Sequence, residues 1–223
     1  MSLRGSSLPA VLGLALAGAA CGHPEKSVVD NYFNAVRAKD NQTLSSFATV
    51  RFEKPVDSWD VKDTIEETSE SMPLPGLIEK LKQAEAEQAA NTKEARAYNL
   101  DHFAAIDQAR DLKTKGRPIP AKIAPVAARW EEFNQKDRET KKAVAEARDA
   151  VEREKRNMAL SVGTTDGLDS IKGEVKTKRI AVDVTIEGQP QPYVMTLKRY
   201  EAEREEGPRI QSRWMIQSLQ PQT

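Results

Sequence analysis

Two long segments rich in helix-forming residues constrain the fold of this 223-residue chain more than any other feature. They span residues 76–114 and 119–160, where Ala, Glu, Lys, Arg and Gln predominate, and these residues have strong helix propensity. In each segment a seam recurs at alternating steps of four and three, the spacing that pairs helices in coiled coils. The first seam comprises Leu77, Leu81, Ala84, Gln88, Asn91, Ala95, Tyr98, His102, Ala105, Ala109 and Leu112. The second comprises Ile123, Val126, Trp130, Phe133, Asp137, Thr140, Val144, Ala147, Val151, Glu154 and Met158.

The two segments are predicted to pair as an antiparallel hairpin. Gly116 and Pro118 break the helical pattern between them, and a short connection favours antiparallel neighbours. Each arm would be about 60 Å long at 1.5 Å per residue. Polar side chains such as Asn91 and Asp137 occupy seam positions, where they lower stability and set register or invite a partner. Two interpretations therefore remain: a marginal, hydrated hairpin, or an arm that docks on another protein.

The segments outside the hairpin predict an α+β domain. Val29, Tyr32, Phe33 and Val36 recur at helical spacing, which predicts an amphipathic helix followed by a short one. From residue 171 to 219, apolar and polar residues alternate in three runs separated by turns at Gly188-Gln189-Pro190 and Gly207-Pro208, which predicts a three-stranded meander. The polar segment 53–75 is predicted to be a connection, with a helical turn between residues 60 and 70.

The first 21 residues have the three zones of a secretory signal. Arg4 precedes an apolar run over residues 8–20, and small residues lead to Cys21. Thirteen residues are typical of a signal and too few to span a bilayer. The segment resembles a bacterial lipoprotein signal, which implies a signal peptide at 1–20, cleavage before Cys21, acylation of its thiol and a short tether at 21–26. Gly22, in place of an aspartate, favours the outer membrane over the inner membrane.

A second resemblance concerns the two ends of the domain. Residues 29–36, Asp40 and residues 44–47 resemble the opening helices of small domains with the nuclear transport factor 2-like fold, and residues 214–219 resemble their last strand. The resemblance implies that residues 27–55 and 161–223 form one domain, with N-terminal helices packed on a C-terminal antiparallel meander. Residues 56–160 would be a connection and the inserted hairpin. Helices and sheet would enclose a pocket, lined by residues that include Phe33, Tyr193 and Trp214.

The remaining residues carry no recognisable catalytic motif. His23 and His102 lack a second histidine or cysteine at the spacing of zinc ligands, and the loop at 164–169 is too short for an EF-hand. Asp57, Asp60 and Asp63 could share a helical face, but no partner group for acid–base work is identifiable. The formal net charge is zero, which disfavours nucleic-acid binding. We therefore predict no enzyme activity, no metal and no cofactor.

These observations favour a non-catalytic lipoprotein of the bacterial cell envelope. The lipid on Cys21 would hold the chain on a membrane, and the hairpin would contact a protein partner or a second copy of the chain. The alternative is a ligand-binding or sensing module that uses the pocket of the α+β domain.

Overall fold

The computed structural model describes residues 24–203 and 212–222, and within these ranges the chain is α+β. The predicted signal peptide, Cys21, His23, Ile210 and the Gly207-Pro208 turn lie outside the described residues. The helices are α1 (Pro24–Ala38), α2 (Asn41–Phe47), α3 (Leu74–Thr114) and α4 (Ala124–Val162), with a short 3-10 turn at Leu168–Ser170. The strands are β1 (Ser58–Ser71), β2 (Lys172–Ile186), β3 (Gln189–Glu203) and β4 (Met215–Pro221).

The strands form one antiparallel sheet in the order β1-β2-β3-β4. Strands β2 and β3 are joined by Glu187 and Gly188, whose φ angles are 51° and 73°. Two successive positive φ angles are typical of the tight hairpin turns that match the twist of a sheet. The Asp57 carboxylate accepts a hydrogen bond from the Gly188 N–H at 2.9 Å, which ties this turn to the segment before β1.

The polar segment 53–75 was predicted to be a connection with a helical turn between residues 60 and 70, and this prediction is wrong, because residues 58–71 form strand β1. The segment pairs with β2 along its length, and its register shifts on either side of Thr64. These irregularities, together with a largely exposed edge strand, remove the alternation that would reveal it in the sequence. Asp60 and Asp63 therefore lie on a strand and share no helical face, and Asp60 pairs with Lys62 at 2.5 Å. The sheet has four strands among the described residues, where three were predicted.

One hydrophobic core lies between α1, α2 and the sheet. Helix α1 buries Val29, Tyr32 and Phe33 completely, as its predicted apolar face requires. The sheet contributes Ile180, Val182, Val184, Ile186, Tyr193, Met195, Leu197 and Ile216. The prediction of N-terminal helices packed on a C-terminal sheet is confirmed at this level.

A second core lies on the opposite face of the sheet. Val175 and Tyr200 pair across β2 and β3 and are buried with the base of the hairpin. Val175 is five residues from Ile180, and because side chains alternate between faces along a strand, the two point in opposite directions. The base contributes Leu74, Val151, Met158 and Val162. The hairpin is therefore anchored on the face that α1 leaves uncovered.

Hydrogen bonds also fasten the hairpin to the domain. The Ser161 hydroxyl donates to the Arg213 carbonyl at 2.8 Å and accepts from the Tyr200 N–H at 3.0 Å. The Arg213 guanidinium donates to the carbonyl of Leu160 on α4 at 3.0 Å and to the carbonyl of Ser46 on α2 at 2.7 Å. Helix α4 ends at Gly163, in the left-handed conformation with φ 74°, a common way to close a helix.

The hairpin confirms the predicted seams. Every predicted seam position is at least partly buried, whereas most other positions on the arms are exposed. Ion pairs join the arms in antiparallel order: Arg148 lies 3.0 Å from Glu85, and Lys136 lies 3.7 Å from Glu87. The arms span residues 74–114 and 124–162, close to the predicted 76–114 and 119–160.

Candidate functional site

An exposed apolar patch lies midway along helix α3. Leu100 is 80% exposed and Phe103 is 62% exposed, and they are the largest exposures among the large hydrophobic side chains of the described residues. The two residues lie three positions apart, on either side of His102, and are together called the apolar patch. Scattered exposed apolar residues are ordinary, but two large ones three positions apart on a highly charged helix form a candidate contact surface.

The patch surrounds a local break in the helix. His102 has non-helical backbone angles, with φ −123° and ψ 17°, and α3 is kinked there. The His102 ring lies 4.4 Å from the ring of Tyr98, which lies 5.4 Å from the ring of Phe133 on α4. Beyond the kink, Ile106 is buried more deeply than the predicted seam residue Ala105. Beyond the kink, Ile106 is thus buried together with the predicted seam residue Ala109.

A groove of about 540 Å³ runs between the two arms beside this patch. Leu100 forms part of its wall, so patch and groove are continuous. The groove is lined by Asn91, Thr92, Ala95, Arg96, Asn99, Leu100, Trp130, Phe133, Asn134 and Asp137. The surface thus combines apolar rings with amide, guanidinium and carboxylate groups, a composition found at protein–protein interfaces.

Asn91 lines the groove with a side chain that is buried but makes no hydrogen bond within the described residues. Its side chain is only 2% exposed, and neither its amide nitrogen nor its carbonyl oxygen has a hydrogen-bond partner within the described residues. A buried polar group without a partner costs about 1–3 kcal/mol. Asn91 is therefore a local weakness in the seam, at the point where the arms open into the groove.

The predicted pocket residues Phe33, Tyr193 and Trp214 are buried in the first core. Phe33 stacks on Trp59 with ring centroids 5.3 Å apart, and the ring of Phe52 contacts both Phe33 and Tyr193. The three side chains thus belong to one core, in which none of them is more than 6% exposed.

Trp214 lies among charges at the edge of that core. The Lys178 ammonium is 5.3 Å and the Arg199 guanidinium 5.1 Å from its ring. Lys178 donates a hydrogen bond to the buried Glu25 carboxylate and lies 3.3 Å from Glu67. Burial lowers the pKa of Lys178, but its two carboxylate partners outweigh burial and hold that pKa above 10.5. This arrangement tethers α1 to the sheet.

A separate hollow of about 660 Å³ opens between α1, α2 and the segment before β1. Its floor is apolar and includes Leu44, Phe52 and Val56, and its rim carries several cationic side chains. The lining residues are Val36, Arg37, Lys39, Asn41, Leu44, Arg51, Phe52, Glu53, Lys54, Pro55 and Val56.

Residues 24–203 and 212–222 were also compared with the requirements of a metal site and of a membrane-spanning helix. No group of three His, Cys, Asp or Glu side chains there could hold a metal ion. In the same part of the chain, no helix has the length and apolar character needed to cross a membrane.

Leu100 and Phe103 were not predicted as site residues from the sequence. Both residues lie outside the predicted seam, and a large apolar residue off the seam was the signal that could have identified them.

Comparisons with protein-family models, with curated proteins and with solved structures give no match to this chain.

Proposed function

We propose that this chain is a non-catalytic lipoprotein of the bacterial cell envelope that binds another protein through the middle of its helical hairpin. The observation that carries the proposal is the exposed pair Leu100 and Phe103 beside the groove between the arms. Large apolar side chains dominate binding energy when a partner buries them. The hairpin would present this surface away from the α+β domain.

Membrane attachment through Cys21 is the second part of the proposal. It is supported by the apolar run at residues 8–20, the small residues after it and the single cysteine of the chain. Acyl chains contribute about 0.8 kcal/mol per buried methylene, so several of them anchor a protein stably. The expected location is the periplasmic face of an envelope membrane, with the outer membrane favoured.

For the α+β domain we propose the nuclear transport factor 2-like fold. Helix α1 lies across a four-stranded antiparallel sheet, in keeping with the resemblance of residues 29–36 and 214–219. The domain would serve as the platform for the hairpin, since its core is filled by side chains.

Cross-linking in intact cells, followed by purification from the membrane fraction, tests the proposed function. We expect one abundant protein to be cross-linked to the wild-type chain and lost from the double variant Leu100→Ser/Phe103→Ser. Ile65→Ser is a matched control, since Ile65 is a 48% exposed apolar residue on β1. Equal recovery with the double variant and the control would contradict the proposal.

A deletion provides a second test, provided that it spares the base of the hairpin. Removing residues 76–160 would open the second core, to which Val151 and Met158 belong. Replacing residues 86–147 with a short glycine-rich turn retains these residues and the Arg148–Glu85 pair. This shortened chain should fold and should lose the partner.

Ligand binding by the α+β domain is the second candidate function. The observation that favours it is the hollow at the end of α1, which has an apolar floor and a charged rim. Thermal unfolding in the presence of envelope metabolites tests it, and the absence of any stabilisation across lipids, glycans and small anions would contradict it.

A further inference from the structure

The rim of the hollow beside α1 carries four cationic side chains from two separate segments. Arg37 and Lys39 lie at the end of α1, and Arg51 and Lys54 lie in the segment before β1. Glu53 is the one carboxylate in the lining. A chain whose formal net charge is zero thus places a local excess of positive charge around one concave surface.

These four cations are not neutralised by the rest of the described chain. None forms an ion pair with a carboxylate among residues 24–203 and 212–222, although many surface cations of the hairpin do. Arg37 lies 5.9 Å above the ring of Trp59, and the Lys54 ammonium donates to the Tyr193 hydroxyl at 3.3 Å. Neither contact is with a carboxylate, so neither neutralises the charge of its cation.

Lys39, at the turn that ends α1, is one of the lining residues of the hollow. Lys39 has φ 55°, and the Asp40 N–H closes the helix on the Ala35 carbonyl at 2.9 Å. The Asp40 carboxylate is committed to the N–H of Thr43 at 3.0 Å and to its hydroxyl at 2.6 Å. The acid nearest to Lys39 in sequence therefore caps α2 and is not paired with a lysine.

We propose that this hollow binds a phosphate group whose carbon substituent rests on the apolar floor. A phosphate presents several anionic oxygens, so cations that approach from different sides can each hold one, and guanidinium groups bind it through paired hydrogen bonds. The apolar floor suits an attached carbon skeleton. The same chemistry occurs in a phospholipid headgroup and in a soluble phosphate ester. The proposal does not depend on the function of the hairpin.

Titration of the full chain in detergent with three probes tests the proposal and distinguishes the two sources. The probes are inorganic phosphate, glycerol phosphate and a short-chain phosphatidate, each compared with sodium chloride at equal ionic strength. Binding is read from the unfolding temperature and from the intrinsic tryptophan fluorescence, to which Trp59, the ring under Arg37, contributes. We expect saturable binding of phosphate compounds, with the phosphatidate tightest if the natural source is a lipid and glycerol phosphate equal to it if the source is soluble.

Two double variants supply the comparison. Arg51→Gln/Lys54→Gln removes two rim charges and should weaken binding by about tenfold or more, since each lost charge-assisted hydrogen bond is worth about that factor. Lys80→Gln/Lys82→Gln removes two exposed charges from α3 and should bind as the wild type does. No saturable binding by any probe, or equal weakening in both variants, would overturn the proposal.

Discussion

Phe33 and Phe133 are both helical phenylalanines, but they lie in regions that are stabilised differently. Phe33 is fully buried in the first core, where it contacts Tyr32, Phe52 and Trp59. Phe133 is also buried, but in the seam between only two helices, where its ring packs against the ring of Tyr98 and the Arg129 guanidinium. The domain thus gains stability from a three-dimensional core, and the hairpin from a single line of contacts.

The difference extends to the polar groups of the two regions. In the domain, the buried Glu25 carboxylate has Lys178 as its partner. In the hairpin, Asn91 is buried, and both of its amide atoms lack a hydrogen-bond partner among the described residues. The same helix, α3, exposes Leu100 and Phe103. A region with weak internal contacts and exposed apolar groups is suited to binding a partner, because the partner supplies the contacts that the region lacks.

Matched phenylalanine truncations test this comparison with the largest expected effect. Phe33→Ala should lower the free energy of unfolding by about 3–5 kcal/mol, because it leaves a cavity in a closed core. Phe133→Ala should cost about 2 kcal/mol, since the seam can close around the gap. Urea unfolding gives the global value, and hydrogen exchange locates the loss. Equal costs would mean that the hairpin is packed as tightly as the domain.

High pH should destabilise the domain. Burial raises the pKa of Tyr32 to about 12 and also raises the pKa of Tyr200, whose hydroxyl lies near the Glu154 charge. A raised folded-state pKa gives stability that is complete below the unfolded value and is lost as pH rises through the folded value. The free energy of unfolding should therefore fall by up to about 2 kcal/mol per tyrosine between pH 10 and 12.

Tyr32→Phe provides the control for the pH dependence. It should remove part of the decline above pH 10 in a series of urea unfolding curves, because one fewer buried group then resists ionisation. If the free energy of unfolding of the variant fell with pH as steeply as that of the wild type, groups other than Tyr32 would be responsible for the decline.

Replacing Asn91, whose buried amide has no hydrogen-bond partner among the described residues, should stabilise the hairpin. Asn91→Leu removes two unpartnered polar atoms from the seam, which is worth about 1–2 kcal/mol, and hydrogen exchange of residues 84–98 should slow accordingly. Thr92→Val, one position away and partly buried, serves as the control and should change exchange less. Destabilisation by Asn91→Leu would show that the amide makes a contact that the seam requires.

The smallest expected effect on stability concerns the patch itself. Leu100→Ser/Phe103→Ser changes exposed side chains and should alter the free energy of unfolding by no more than about 0.5 kcal/mol. Thermal unfolding checks this value. A large loss of unfolding free energy would mean that the two residues stabilise the hairpin itself, and would contradict their assignment as a surface for a partner.

The two regions also differ in how far their structure follows from the sequence. The hairpin seams could be read from periodicity because the contacts of a helix pair repeat along the chain. Strand β1 could not, because its pairing with β2 is non-local and its register shifts around Thr64. Likewise, the four cations of the hollow come from two segments that only the fold brings together.

The sequence also does not show which apolar residues of the sheet belong to which of the two cores. Val175 and Ile180 lie on one strand and look alike in the sequence, yet they point to opposite faces of the sheet because five residues separate them. Tertiary packing decides which apolar residue of a strand meets α1 and which meets the hairpin. Phe33, Tyr193 and Trp214 are buried in the first core, and aromatic character alone cannot distinguish a filled core from an open pocket.

Photo-cross-linking in living cells tests the central claim most directly. A photoreactive amino acid is placed at Phe103 in one strain and at Ile65, the exposed apolar residue of β1, in another. We predict a single heavier product at position 103 that contains a second protein and is absent at position 65. No product at position 103, the same product at both positions, or a product that contains only two copies of this chain would contradict the claim.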